Sequence, residues 1–203
     1  MTLRSTMSDL IITLRGLTNT GTDDYTIAGR TYWSNEQLQT ALDRRRFEVR
    51  QATMQGYSQL VGGGTVRWTE YQAPWKWLEK TDGGTARFWI QDATGATISV
   101  SNYSVDYTSG LVTFTGDQGG SIRMVSGYAY DVYGAAADVW SEKAAQYATA
   151  IDFSTDNHNV KRSHIVKSCE KMAKRFDLMA GATYISDTPG SVTIYRGDTA
   201  NAD

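Results

Sequence analysis

The chain has one cysteine, two prolines and two histidines in 203 residues, and no apolar run longer than a few positions. With Cys169 alone, an intramolecular disulfide and a multi-cysteine zinc site are both excluded, which fits assembly in a reducing cytoplasm. The longest aliphatic run, Leu10-Ile11-Ile12, falls far short of the roughly 20 residues a membrane span needs, so no membrane partner is expected. Arg4 is followed by no apolar core of roughly 7–15 residues, so no secretory signal is expected either. A basic excess is also missing. The formal net charge is −2, which argues against nucleic acid as the main ligand. With only His158 and His164, and neither in a paired motif, no metal and no cofactor is expected.

What the chain does have is an ordinary globular composition, 40% hydrophobic and 21% charged, and 19 glycines that point to tight turns and hairpins. Helical periodicity opens it. Residues 6–17 start with the capping-box pattern Thr6-Met7-Ser8-Asp9 and continue with Leu10, Ile11, Leu14 and Leu17 on one face. Residues 18–32 are polar and turn-rich, and are expected to form a loop. Ser34 with Gln37 three residues on marks a stronger start, and Leu38, Ala41, Leu42, Val49 and Ala52 predict a helix from about Asn35 to Ala52. From about Met54 to Tyr130 the period shortens to two. The clearest hairpin there is residues 103–107, a Thr108-Ser109-Gly110 turn and residues 111–114, with Gly110 suited to the left-handed position. Four of the six tryptophans lie in this segment. Helical spacing returns after Gly134 through Trp140, Ala144 and Ile151. A last helix carries Ile165, Cys169, Met172, Ala173, Phe176 and Met179 to a C-cap at Gly181.

The expected fold class is therefore α+β, mainly a helical bundle of about four helices with an inserted antiparallel β-sheet domain and an extended C-terminal arm. Residues 1–53 and 132–180 would form the helical base, 54–131 the β insertion and 181–203 the arm.

Candidate chemistry is sparse, and no catalytic residue is expected. Cys169 sits in an apolar stripe without an evident base. Gly62-Gly63-Gly64-Thr65 lacks the lysine and spacing of a phosphate loop. Residues 152–156 resemble the start of a calcium loop, but Asn157 and Ser163 stand where glycine and glutamate are needed. Asp138 and Glu142, four apart, suit a pair of carboxylates or a solvated face. Arg44, Arg45 and Arg46 suit a solvated face or ion pairs across a subunit boundary. The last helix has six lysines or arginines from Lys161 to Arg175 against Glu170 alone, which suits solvent better than DNA because aromatic interleaving is missing. Trp68, Trp75, Trp77 and Trp89 suit a core, or else the platform of a carbohydrate-binding β module.

Three stretches carry a family resemblance: residues 32–39 (YWSNEQLQ), residues 105–114 (VDYTSGLVTF) and residues 135–176, above all Ala136-Ala137-Asp138-Val139-Trp140 with Asp152-Phe153-Ser154-Thr155-Asp156. Together they resemble the head-tail connector (adaptor, or head-completion) proteins of long-tailed bacteriophages, over roughly residues 8–180. The resemblance implies a structural virion protein of the neck, assembled in the host cytoplasm and not an enzyme. It implies a homo-oligomeric ring of about twelve copies on the portal protein, closed by a repeated heterologous interface. A tail-side neck or stopper protein would bind the ring, and genomic DNA would pass through the lumen without sequence-specific binding. The arm would reach a neighbour or the portal, with Tyr184, Ile185, Val192, Ile194 and Tyr195 as contact residues beside Arg44, Arg45 and Arg46. The long β segment departs from the minimal family pattern. A tail-side completion or stopper protein is the alternative within the same class.

Overall fold

In a computed structural model, residues 3–21, 25–27, 30–61, 63–80, 87–148, 153–155, 158–160 and 162–181 are described. The chain divides into two compact units, one formed by residues 1–45 and 131–181 and the other containing residues 46–130. Strand residues nearly match helical ones, and the β unit holds two antiparallel sheets of three and four strands. The fold is thus mixed α+β and not a helical bundle, which corrects the expected fold class.

The first unit contains α1 (Ser8–Thr18), a short hairpin of β1 (Tyr25–Ile27) and β2 (Arg30–Tyr32), and α2 (Asn35–Arg44). It resumes with α3 (Val132–Ala148), a second short hairpin of β10 (Phe153–Thr155) and β11 (His158–Val160), and α4 (Arg162–Asp177). The first hairpin lies within residues 18–32, where a polar loop was expected.

Helix α3 is the hub, packing against α1, α2 and α4. Its Gly134, Ala135, Ala136, Ala137 and Ala144 are buried, so neighbouring backbones approach closely on several sides. The helix starts of α1 and α2 differ. Residues 5–7 form a 3-10 turn and α1 has no side-chain cap, so the Thr6 capping pattern is not realised. At α2 the box is complete: Gln37 N–H donates to Ser34 Oγ at 3.4 Å, and Ser34 N–H donates to Gln37 Oε1 at 2.8 Å. Ser34→Ala is expected to cost about 1 kcal/mol, read as a lower thermal midpoint by circular dichroism.

The expected helix to Ala52 stops at Arg44, and Arg46–Thr53 is strand β3. Phe47 and Val49 also alternate with Arg46, Glu48 and Arg50, a period of two that overlaps the helical one. With neither glycine nor proline at the boundary, tertiary pairing decides: β3 pairs with β9 (Arg123–Tyr130) from Arg46↔Tyr130 to Thr53↔Met124. The unit boundary therefore falls at residues 45/46 and 130/131, earlier than the expected 53/54 and close to the expected 131/132.

The three-stranded sheet has the order β3-β9-β6, with β6 at Phe88–Asp92. The four-stranded sheet has the order β4-β5-β8-β7, from β4 (Gln55–Val61), β5 (Thr65–Gln72), β7 (Tyr103–Asp106) and β8 (Leu111–Phe114). Met54 alone separates β3 from β4, and the two sheets share one core that includes Val49, Tyr71, Phe88, Ile90, Val112 and Val125. Thr97 makes a single bridge with Gln91, and Val100–Asn102 forms a 3-10 turn.

The 103–114 hairpin is as expected, with Gly110 at φ +78°. Asp106 holds the turn by accepting from Thr108 N–H, Ser109 N–H and Ser109 Oγ. The Ser109 hydroxyl chiefly draws its carboxyl below the usual range.

Candidate functional site

The three adjacent arginines leave the α2–β3 junction in different directions, and each finds a carboxylate in its own unit. In the first unit, Arg44 Nη1 donates to Glu142 Oε1 at 2.7 Å. Arg45 grips Asp138 with two bonds, Nε to Oδ2 at 2.8 Å and Nη2 to Oδ1 at 2.7 Å. That hydrogen bonding raises the Arg45 pKa, against the opposing effect of burial and with added attraction from Asp138, Asp131 and Asp177. Asp138 and Glu142 therefore serve as partners for Arg45 and Arg44.

In the β unit, Arg46 Nε donates to Glu79 Oε2 at 2.8 Å, and the guanidinium lies 3.6 Å from the centre of the Tyr128 ring. Glu79 is 1% exposed, and its Oε2 also accepts from the Tyr130 hydroxyl at 2.9 Å. Arg87 Nε approaches Oε1 at 4.0 Å. Arg46 begins β3 and Tyr130 ends β9, so Glu79 joins the entry and exit strands of this unit. Sequence periodicity gave no sign of Glu79, because it stands outside the named strands.

A second polar cluster lies at the C-terminal end of α1. Lys143, 5% exposed, donates to Thr18 O at 3.0 Å and Asn19 O at 3.4 Å, and Trp140 Nε1 donates to Leu17 O at 3.2 Å. These carbonyls end a helix and carry its partial negative charge, so a lysine is the fitting cap. Beside them a groove of about 480 Å³ is lined by Trp140, Lys143, Tyr147, His164, Ser168 and Cys169. Burial pushes the Cys169 thiol up, outweighing the Lys143 charge, so the sulfur is held as a thiol. His164 is exposed on α4, and nothing is described of the His158 side chain.

Helix α4 buries Cys169, Ala173 and Phe176, while Met172 and Met179 are half-buried and Ile165 is 37% exposed. Its opposite side exposes Lys167, Lys171, Lys174 and Arg175. Among the described residues none of these four forms an ion pair, whereas Arg4, Arg44, Arg45, Arg46 and Arg50 all do.

The tryptophans of the β unit form no exposed platform. Trp77 is buried, Trp68, Trp75 and Trp89 are half-buried, and Trp75 meets Phe47 edge-on at 6.2 Å. Tyr184, Ile185, Val192, Ile194 and Tyr195 lie outside the described residues. Among the described residues no three histidines, cysteines or acids group to hold a metal, and no helix is long and apolar enough to cross a membrane.

Comparison of the chain with protein families, curated proteins and solved structures finds no match.

Proposed function

We propose that this chain is a structural protein of the tailed-phage neck, one subunit of a ring that attaches to the portal and links head to tail. The reading rests on the sequence resemblance, and one observation supports it: the three resembling stretches fall on regular elements inside the two units. Residues 32–39 contain the complete capping box that opens α2. Residues 105–114 are the β7–β8 hairpin with its left-handed Gly110. Residues 135–176 take in most of α3 and α4, which pack along each other.

Support also comes from where the polar side chains go. Arg44, Arg45, Asp138, Glu142, Arg46, Glu79 and Lys143 are the strongest candidates for chemistry, and each is engaged in internal ion pairs or helix capping.

The test is assembly. A chain ending at Gly181 is expected to fold, with a circular dichroism spectrum and melting midpoint close to those of the full chain. It should fail to bind purified portal rings in sedimentation. Portal binding equal to that of the full chain would remove the proposed role of residues 182–203. Binding to purified tails but not to portals, by the full chain, would move it to the tail side.

A further inference from the structure

The four unpaired cations of α4 form one stripe. At 100° per residue, Lys167, Lys171, Lys174 and Arg175 fall within about 100° of the helix circumference and along about 12 Å of its length. All four are exposed, and no carboxylate among the described residues pairs with any of them. Glu170 and Asp177, the acids of α4, lie on the same flank outside the stripe, and neither pairs with any of the four. Arg44, Arg45 and Arg46 are by contrast paired internally, and the described cations without a carboxylate elsewhere, such as Arg15 and Arg123, stand singly and bond carbonyl or amide oxygens. An uncompensated stripe in a chain of net charge −2 marks a surface shaped for a polyanion.

We infer that this face of α4 contacts the phosphate backbone of duplex DNA without reading its sequence; the inference rests on the neck reading, and assigns the side of the subunit that meets the genome. Charge density favours DNA, since about 12 Å of duplex axis carries about seven phosphate charges, enough to engage all four cations at once. Composition favours it too. Three of the four cations are lysines, which protein–protein interfaces disfavour and which act as mobile point charges on phosphates. The stripe itself contains no aromatic residue on which an unstacked base could rest, so contact stays at the backbone and the duplex can slide.

The experiment measures binding of the purified full chain to two fluorescent duplexes of unrelated sequence, between 50 and 200 mM salt. Four phosphate contacts give a log–log slope of about −3.6, an affinity loss of about 150-fold across that range, equal for both duplexes. Lys171→Gln should flatten the slope by about 0.9, and the combined Lys167→Gln, Lys171→Gln, Lys174→Gln, Arg175→Gln variant should abolish the salt dependence. All four side chains are exposed, so the circular dichroism melt of the variant should match the parent. The inference is overturned if the parent chain does not bind duplex at 50 mM salt, or if the four-fold variant keeps its slope. Equal or tighter binding to polyglutamate would also overturn it, by assigning the stripe to an acidic protein. The neck reading fails separately, if the unaltered chain is missing from particles; particles that contain it beside a negative DNA result would sink only this inference.

Discussion

Glu79→Ala is expected to lower the stability of the β unit by about 3 kcal/mol, the cost of breaking an ion pair whose acid is buried and whose cation is half-buried. The Arg46 side chain is 22% exposed and the Glu79 side chain 1%, and the bond between them is 2.8 Å long. Removing that carboxylate takes away the acceptor that Arg46 and the Tyr130 hydroxyl share. Because those groups start β3 and end β9, the damage falls where the β unit is entered and left. Glu79→Gln keeps an acceptor and should cost less than the alanine change. Urea unfolding followed by tryptophan fluorescence reads the difference. With two units in the chain, a separate early transition is the expected form. A loss below about 1 kcal/mol for Glu79→Ala would mean that the buried pair barely outweighs its own desolvation.

Gly110→Ala should be nearly as severe, at about 3 kcal/mol or more, whereas Gly63→Ala should cost only about 1 kcal/mol. Both glycines have positive φ, +78° at Gly110 and +87° at Gly63, so both share the left-handed penalty. They differ in what surrounds them. A Cβ on Gly110 would stand 2.3 Å from the Trp75 carbonyl oxygen, a backbone atom that cannot swing aside, while a Cβ on Gly63 would meet nothing within 4 Å. Gly110 N–H also donates to Asp106 O, and Gly110 O accepts from Ala73 N–H, so the turn is tied on both sides. Comparing the two variants in the same urea titration separates backbone strain from steric conflict. Equal losses would show that the contact with Trp75 is not a constraint.

Legibility from sequence followed how local each signal was. The capping box at Ser34 and the hairpin turn at Gly110 were readable because their chemistry is complete within a few residues. The buried face of α4 was readable from spacing through Cys169, Ala173 and Phe176. The extension of α2 to Ala52 failed because Val49 and Ala52 satisfy a helical stripe as well as a strand, and the deciding partner, β9, is about 80 residues away. The Thr6 pattern failed because residues 5–7 tighten into a 3-10 turn. Strand β4 fell inside the expected β segment but was not singled out, because it is largely exposed and alternates little.

The candidate site was less legible than the fold. The run Arg44-Arg45-Arg46 was visible, but its partners Glu142, Asp138 and Glu79 are 98, 93 and 33 residues away. Lys143 and Trp140 were visible as part of a helix, yet their role at the end of α1 depends on packing over more than 120 residues of chain. The α4 cations were countable in sequence. What the structure adds is that they share one exposed face and lack internal partners.

Cryo-electron microscopy of particles purified from cells that carry the gene for this chain tests the proposed neck role most directly. The account predicts a ring of about twelve copies seated on the portal, with α1–α4 and the two β-sheets recognisable in each subunit. A neck built entirely from other chains, with this polypeptide absent from the virion by mass spectrometry, would contradict it.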